Sequence, residues 1–261
     1  MCIRDRTLWS WGYNTYGTLG LNDQIKRSSP CQVMSSNAWT MTGSERCQTN
    51  MHKNDGTMWV WGRNSDVGAL GLNEAVGKYS SPVQLGTAAT WVNNVGDSGG
   101  CHAVKTDGTL WTWGLNNYGA LGLNQAHPWA YSSPKQVGTD TNWTLTTVYA
   151  AKQGQYFGIA GKTDGTFWSW GYNDFGELGQ NDRTSRSSPV QMPGTWAHIC
   201  LGQQIGTGVK TDGTLWAWGY NFNGSLGQNN LTKYSSPTQI PGTKWTMGVN
   251  NGTRTFATKS S

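Results

Sequence analysis

Hydrophobic and polar residues alternate with a period of two in short runs broken by Gly, Asp and Asn, and the clearest run is HAVKTDGTLWTWG, from His102 to Gly114. Such alternation puts successive side chains on opposite faces of an extended strand, so the run predicts two strands joined at Asp107-Gly108. Asp-Gly favours the left-handed dihedrals of a two-residue type I′ turn. That turn sets Lys105 opposite Leu110, Val104 opposite Trp111 and His102 opposite Trp113, with Trp111 and Trp113 on one face. A third strand is expected around Trp143 (WTLTTV), and a short fourth one after Ser132-Ser133-Pro134, where the proline suits a strand start or edge. WGLNNYGALG, from Trp113 to Gly122, reads as the loop between strands. Gly119 and Gly122 are available there for positive φ, and Asn116 for local side-chain bonding.

This pattern recurs along the chain. A WxWG string has its second tryptophan at Trp11, Trp61, Trp113, Trp170 and Trp218, at spacings of 50, 52, 57 and 48 residues. Each is followed by Ser-Ser-Pro, ending at Pro30, Pro82, Pro134, Pro189 and Pro237, and then by another tryptophan, Trp39, Trp91, Trp143, Trp196 or Trp245. A fixed period of this length is the signature of stacked repeats, and four short strands per period is the content of a propeller blade. The predicted fold is therefore all-β: a β-propeller of four-stranded blades with five repeats present. The periods run approximately 7–52, 53–104, 105–161, 162–209 and 210–261 and form a single repeat domain, 7–261. Residues 1–6, where IRDR stands in place of the later KTDG, are expected to be a leader foreign to the fold.

Composition agrees with this picture. The chain has 36 Gly, 16 Trp and only 13% charged residues, a mixture suited to tight turns and aromatic filling rather than helices. The five cysteines, Cys2, Cys31, Cys47, Cys101 and Cys200, show no CxxC spacing and no fixed place in the repeat, which argues against a disulfide framework or zinc site. No apolar run has membrane-spanning length and MCIRDR lacks a signal-peptide core, so the sequence assigns no compartment.

Catalytic chemistry finds little support. The histidines His52, His102, His127 and His198 are out of phase with the repeat and have no metal-ligand spacing. Asp55, Asp107, Asp164 and Asp212 recur, but each belongs to a DG turn. No nucleophile–base pair, phosphate loop, cofactor site or metal site is legible, and the chain is read as no enzyme. The net charge of +5 includes an array, Lys53, Lys105, Lys162, Lys210 and Lys259, standing two residues before the turn or its equivalent. It offers a weak electropositive rim for phosphates or acidic partners, half cancelled by the turn aspartates.

The positions that vary between copies carry more information than those that recur. In WGxNxxG they include Tyr13, Tyr16, Arg63, Tyr118, Tyr172, Phe175, Tyr220 and Phe222, aromatic and charged side chains presented by a fixed scaffold. This loop face is the candidate binding surface for a protein or glycan.

The DG turn, the WG-N-x-x-G-x-L-G string and the later Ser-Pro resemble the regulator of chromosome condensation repeat family over residues 7–259. The resemblance implies four-stranded blades around a central channel, seven in complete members. The chain begins at TLWSWG, the third strand of a period, and ends at FATKSS, the second. Two arrangements accommodate these ends: a closed five-blade ring, monomeric, in which Thr255–Lys259 pairs with Leu8–Trp11, or an open arc of a seven-blade propeller, which we expect. The leading function is a non-enzymatic interaction scaffold with no membrane partner and nucleic acid disfavoured. The resemblance also implies two alternatives, guanine-nucleotide exchange on a small GTPase with chromatin association, and inhibition of a secreted enzyme. The largest insertion available to an exchange element lies around Ala150–Gly161.

Overall fold

The computed structural model describes residues 7–260 except 36–38, 45–47, 66, 76, 97–98, 146–147, 151–155, 203 and 251–253. Residues 1–6 with Cys2, Cys47 and residues 151–155 of the insertion expected around Ala150–Gly161 lie outside the described residues. The chain divides into two compact units, Met1–Leu115 with Trp129–Gln136, and Asn116–Pro128 with Val137–Ser261.

In the first unit Leu8–Gly12 pairs with Arg27–Val33, followed by two four-stranded antiparallel sheets. Sheet I comprises Trp39–Ser44, Gln48–Lys53, Met58–Arg63 and Lys78–Gln84, and sheet II comprises Trp91–Gly96, Gly100–Lys105, Leu110–Leu115 and Ala130–Gln136. The second unit holds sheet III (Trp143–Thr144, Phe157–Lys162, Phe167–Gly171, Arg186–Gln191), sheet IV (Trp196–Leu201, Ile205–Lys210, Leu215–Gly219, Tyr234–Ile240) and the pair Trp245–Asn250 with Thr255–Lys259. Sheet IV gains a fifth strand, Val148–Ala150, parallel to Trp196–Leu201. Strands are hydrogen-bonded in chain order within each meander. Each sheet takes its first two strands from one sequence period and its last two from the next.

Two strand-level expectations are corrected. The DG hairpin pairs Val104 with Leu110, Ala103 with Trp111 and Cys101 with Trp113, one residue away from the type I′ register. Gly108 N donates to Lys105 O (2.9 Å) and Lys105 N to Thr109 O (3.1 Å), which closes a three-residue loop. Only Gly108 of that loop is left-handed, at φ +75°. Asp107 is held out of the left-handed region because its Oδ1 accepts from Thr109 N (3.0 Å) and Thr109 Oγ1 (2.6 Å). A type I turn followed by a left-handed glycine is the three-residue alternative to the type I′ hairpin. The second correction concerns Ser-Ser-Pro, which lies inside the fourth strand rather than before it. Pro134 is tolerated because that strand is the sheet edge, where a missing N–H breaks no ladder bond. The segment around Trp143 opens the next sheet, pairing Trp143 with Lys162.

The third-strand tryptophans join neighbouring sheets. Trp61 and Trp113 are buried in the first unit and donate Nε1–H to Thr18 O (2.9 Å) and Ala69 O (3.1 Å). In the second unit Trp170 and Trp218 do the same to Ala120 O (2.8 Å) and Glu177 O (2.7 Å). Each accepting carbonyl sits in the WGxNxxG loop of the preceding repeat. Close approach of that loop requires glycine: a Cβ on Gly119, φ +77°, would lie 2.4 Å from Ser187 Cα. The loop asparagine fixes its shape, since Asn116 Nδ2 donates to Gln125 O and Pro128 O while its Oδ1 accepts from Leu121 N.

Candidate functional site

The two candidate surfaces differ in what their side chains already hold. On the turn rim, Asp, Thr, Trp and Lys form one repeated assembly. Asp55, Asp107, Asp164 and Asp212 each accept from the N–H and hydroxyl of the threonine two residues on, and these bonds hold their carboxyls below the usual range. The same hydroxyl accepts from an indole N–H, as Thr109 Oγ1 does from Trp111 (2.8 Å). Lysine heads then lie on the indole faces. Lys105 Nζ is 3.7 Å from the Trp111 ring and 4.9 Å from Trp91, Lys53 lies over Trp59 and Trp39, and Lys162 over Trp168 and Trp143. Lys210 lies over Trp216 and Trp196, and Lys259 over Trp245. Burial lowers the Lys105 pKa, with the Asp107 charge acting against it.

These contacts give the lysine array a packing role. Lys105→Met, which keeps the stem and removes the charge, is expected to cost about 0.5–1 kcal/mol in urea denaturation with an unchanged slope. A loss indistinguishable from zero would refute the cation–π contribution.

The WGxNxxG loops present the other surface. In the second unit six rings form a continuous ribbon. Tyr156 meets Tyr118 (centroids 5.7 Å), Tyr118 meets Tyr172 (4.9 Å) and Tyr172 meets Phe175 (6.3 Å). Phe175 in turn meets Tyr220 (5.0 Å), and Tyr220 stacks on Phe222 (6.2 Å). Tyr118 and Phe222 are 52% and 67% exposed, and the other four rings are half-buried. Tyr118 and Tyr156 adopt left-handed backbone (φ 57° and 95°), a conformation costly for a bulky residue and concentrated at functional sites. Lys233 Nζ lies 4.4 Å from the Phe175 ring and 5.2 Å from Tyr220. In the first unit the corresponding side chains pair singly, Tyr13 with Lys26 and Tyr16 with Arg63.

The sequence pattern points to Tyr118, Tyr172, Phe175, Tyr220 and Phe222 but misses Tyr156, Lys233 and a third residue, Glu177. Glu177 is 1% exposed. Its Oε2 accepts from Phe175 N (2.9 Å), and its Oε1 is buried without a hydrogen-bond partner. Burial pushes its carboxyl up to about 7 against the backbone N–H groups of Glu177 and Phe175, which favour the ionised form; the Asp174 charge adds to the shift, and Lys233 opposes it. The signal was present in the repeat: the same position holds Thr18, Ala69, Ala120 and Ser225 in the other copies. The Tyr172 phenol is pushed up to about 12, chiefly by burial and then by its hydrogen bond to Asp174.

Among the described residues no group of three His, Cys, Asp or Glu could hold a metal ion, and Cys31, Cys101 and Cys200 form no disulfide with one another. Among them too, no helix is long and apolar enough to cross a membrane.

Tandem four-stranded antiparallel sheets, tied sheet to sheet by indole donors and displaying variable loops, define a β-propeller of repeated blades. The chain matches the regulator of chromosome condensation (RCC1) repeat over residues 6–42, 107–157, 164–207 and 212–252, well over half its length, and belongs to that family. It is 26% identical to the ultraviolet-B receptor UVR8 of Arabidopsis thaliana over 189 residues, covering 70% of this chain and 41% of the relative. It is also 26% identical to the mitochondrial RCC1 domain-containing protein RUG3 of the same plant, covering 71% and 42%. The match to the probable E3 ubiquitin-protein ligase HERC4 of Homo sapiens is 25%, covering 72% and 18%. The chain thus spans less than half the length of these relatives. Among solved structures it superposes on human WBSCR16 with a TM-score of 0.80 at 19% identity, covering 99% of this chain and 68% of that one. It superposes equally, at 0.80 and 16% identity, on yeast RCC1 (Prp20) bound to Kap60, covering 98% and 63%.

Proposed function

We propose that this chain is a non-enzymatic scaffold that binds a protein partner through the aromatic ribbon of its second unit. The observation that carries this reading is the continuity of the ribbon from Tyr156 to Phe222 through five ring contacts. Exposed aromatics with a neighbouring cation are the side chains enriched at the energetic centres of protein interfaces. Protein is favoured over glycan by ring orientation. Four of the five contacts are edge-to-face, so rings cover one another's faces, and Lys233 lies on two more. Sugar stacking needs a free face, whereas a protein groove uses the edges and hydroxyls left exposed. Support also comes from a fold neighbour whose structure is described with Kap60 bound.

The test uses the full chain as bait and the Tyr172→Ala, Phe175→Ala, Tyr220→Ala, Phe222→Ala variant beside it. A partner captured by the first is then purified and titrated against both. A loss of about 100-fold or more in affinity, with the tryptophan fluorescence of the fold retained, is expected from removing several central aromatics. Equal affinity for the two proteins would reject this face.

A further inference from the structure

Glu177 departs from the repeat in a way that packing does not explain. The other copies place only small uncharged side chains, Thr18, Ala69, Ala120 and Ser225, at this point of the loop. Glu177 cannot yield through its backbone, because its carbonyl accepts the Trp218 indole at 2.7 Å. The side chain is the part free to respond. One carboxyl oxygen is held by Phe175 N at 2.9 Å and the other is buried with no partner.

Three charged or titratable groups face it. Asp174, on the same loop, opposes ionisation, and the Tyr172 hydroxyl bonded to Asp174 carries no compensating charge. Lys233, on the segment leading into the last strand of sheet IV, favours ionisation. Yet Lys233 makes no ion pair among the described residues, because its ammonium lies on the Phe175 and Tyr220 rings. A neutral carboxyl fits this arrangement. An ionised one leaves a buried charge without a counter-ion, which is unfavourable until a cation reaches it. Lys233 can do so only if the Phe175–Tyr220 contact opens.

We propose that Glu177 is a proton-operated latch of the aromatic face: protonated, it keeps the ribbon continuous, and ionised, it draws Lys233 inward and parts Phe175 from Tyr220. On the binding role proposed above, a partner gripping the ribbon is then held more tightly at acidic than at alkaline pH. The buried carboxyl, held near 7, is poised to make this change close to neutrality.

The latch is tested on the full chain without any partner, so its failure would leave the binding reading untouched. Ring-to-ring nuclear Overhauser contacts between Phe175 and Tyr220 are followed from about pH 5.5 to about pH 8.5. The contact is expected to be strong at the acid end and lost at the alkaline end, in a one-proton transition. Glu177→Gln should keep it throughout, and Glu177→Ser, which installs the side chain that Ser225 supplies at the same place in the next repeat, should also abolish the transition. Lys233→Met should keep the Phe175–Tyr220 contact through to alkaline pH, because the ammonium whose inward movement parts the rings is gone. A contact that persists unchanged to alkaline pH, or a transition that survives in Glu177→Gln, would overturn the proposal.

Discussion

Replacing Trp170 with alanine is expected to destabilise the protein by about 3–5 kcal/mol, while the same change at Trp11 should cost about 1 kcal/mol or less. The two residues occupy the same place in the sequence repeat. Trp170 is fully buried, and Trp11 is 59% exposed. The Trp170 ring meets Trp143 edge-on at 6.4 Å and donates to Ala120 O at 2.8 Å. Its walls include Gly122 and Gly158, where an added Cβ would come within 3.0 Å and 2.4 Å of the indole. Backbone and glycine cannot move in to fill the space left by the ring, so the cavity would persist at nearly full size. Trp170→Phe should cost roughly 1–2 kcal/mol, because it keeps most of the volume and loses the donor. Denaturant midpoints for the three variants at constant slope decide the matter. Equal losses at Trp11 and Trp170 would show that repeat position, not burial, sets the cost.

Much of this architecture is legible in the sequence because repetition exposes it. The period, the alternation around the DG turns and the glycines at positions 119 and 122 follow from local rules, and both glycines are left-handed as those rules require, at φ +77° and +71°. The hairpin register is not set by Asp-Gly alone. The threonine after the glycine decides it, by bonding the aspartate and holding it out of the left-handed region that a type I′ turn needs. The lysine rim was visible as an array, but its stacking depends on the first strand of each sheet. Lys105 meets Trp111 across its own hairpin and Trp91 across another pairing, so two registers must be known together. The loop aromatics were legible as variable positions, whereas their joining into a ribbon depends on residues from neighbouring repeats. Glu177 is hidden for a different reason: acid–base chemistry is recognised in a sequence by paired groups, and this carboxyl is distinctive for a buried oxygen that lacks a partner.

Gly206→Ala should remove about 2–3 kcal/mol of stability although it adds a single carbon. Gly206 lies inside the second strand of sheet IV, opposite Trp218, where its backbone is extended and does not itself demand glycine. An added Cβ would stand 2.1 Å from Trp218 Cε2 and 2.4 Å from Nε1. The indole cannot retreat cheaply, because it is fully buried, packs against Trp196 at 5.6 Å and donates to Glu177 O. Alanine also restricts the unfolded chain, which offsets roughly 0.4–1 kcal/mol of the clash. Thr49 holds the equivalent place in sheet I, where its hydroxyl donates to Thr18 O at 3.3 Å, so that sheet accommodates a side chain that sheet IV excludes. Thr49→Ala is therefore expected to be several-fold milder than Gly206→Ala. Displacing Trp218 also pulls on the Glu177 carbonyl, so Gly206→Ala should shift the Phe175 and Tyr220 ring signals as well as the unfolding midpoint. A midpoint within about 0.5 kcal/mol of the parent, with those ring signals unmoved, would mean that the indole is not fixed by its bond to Glu177.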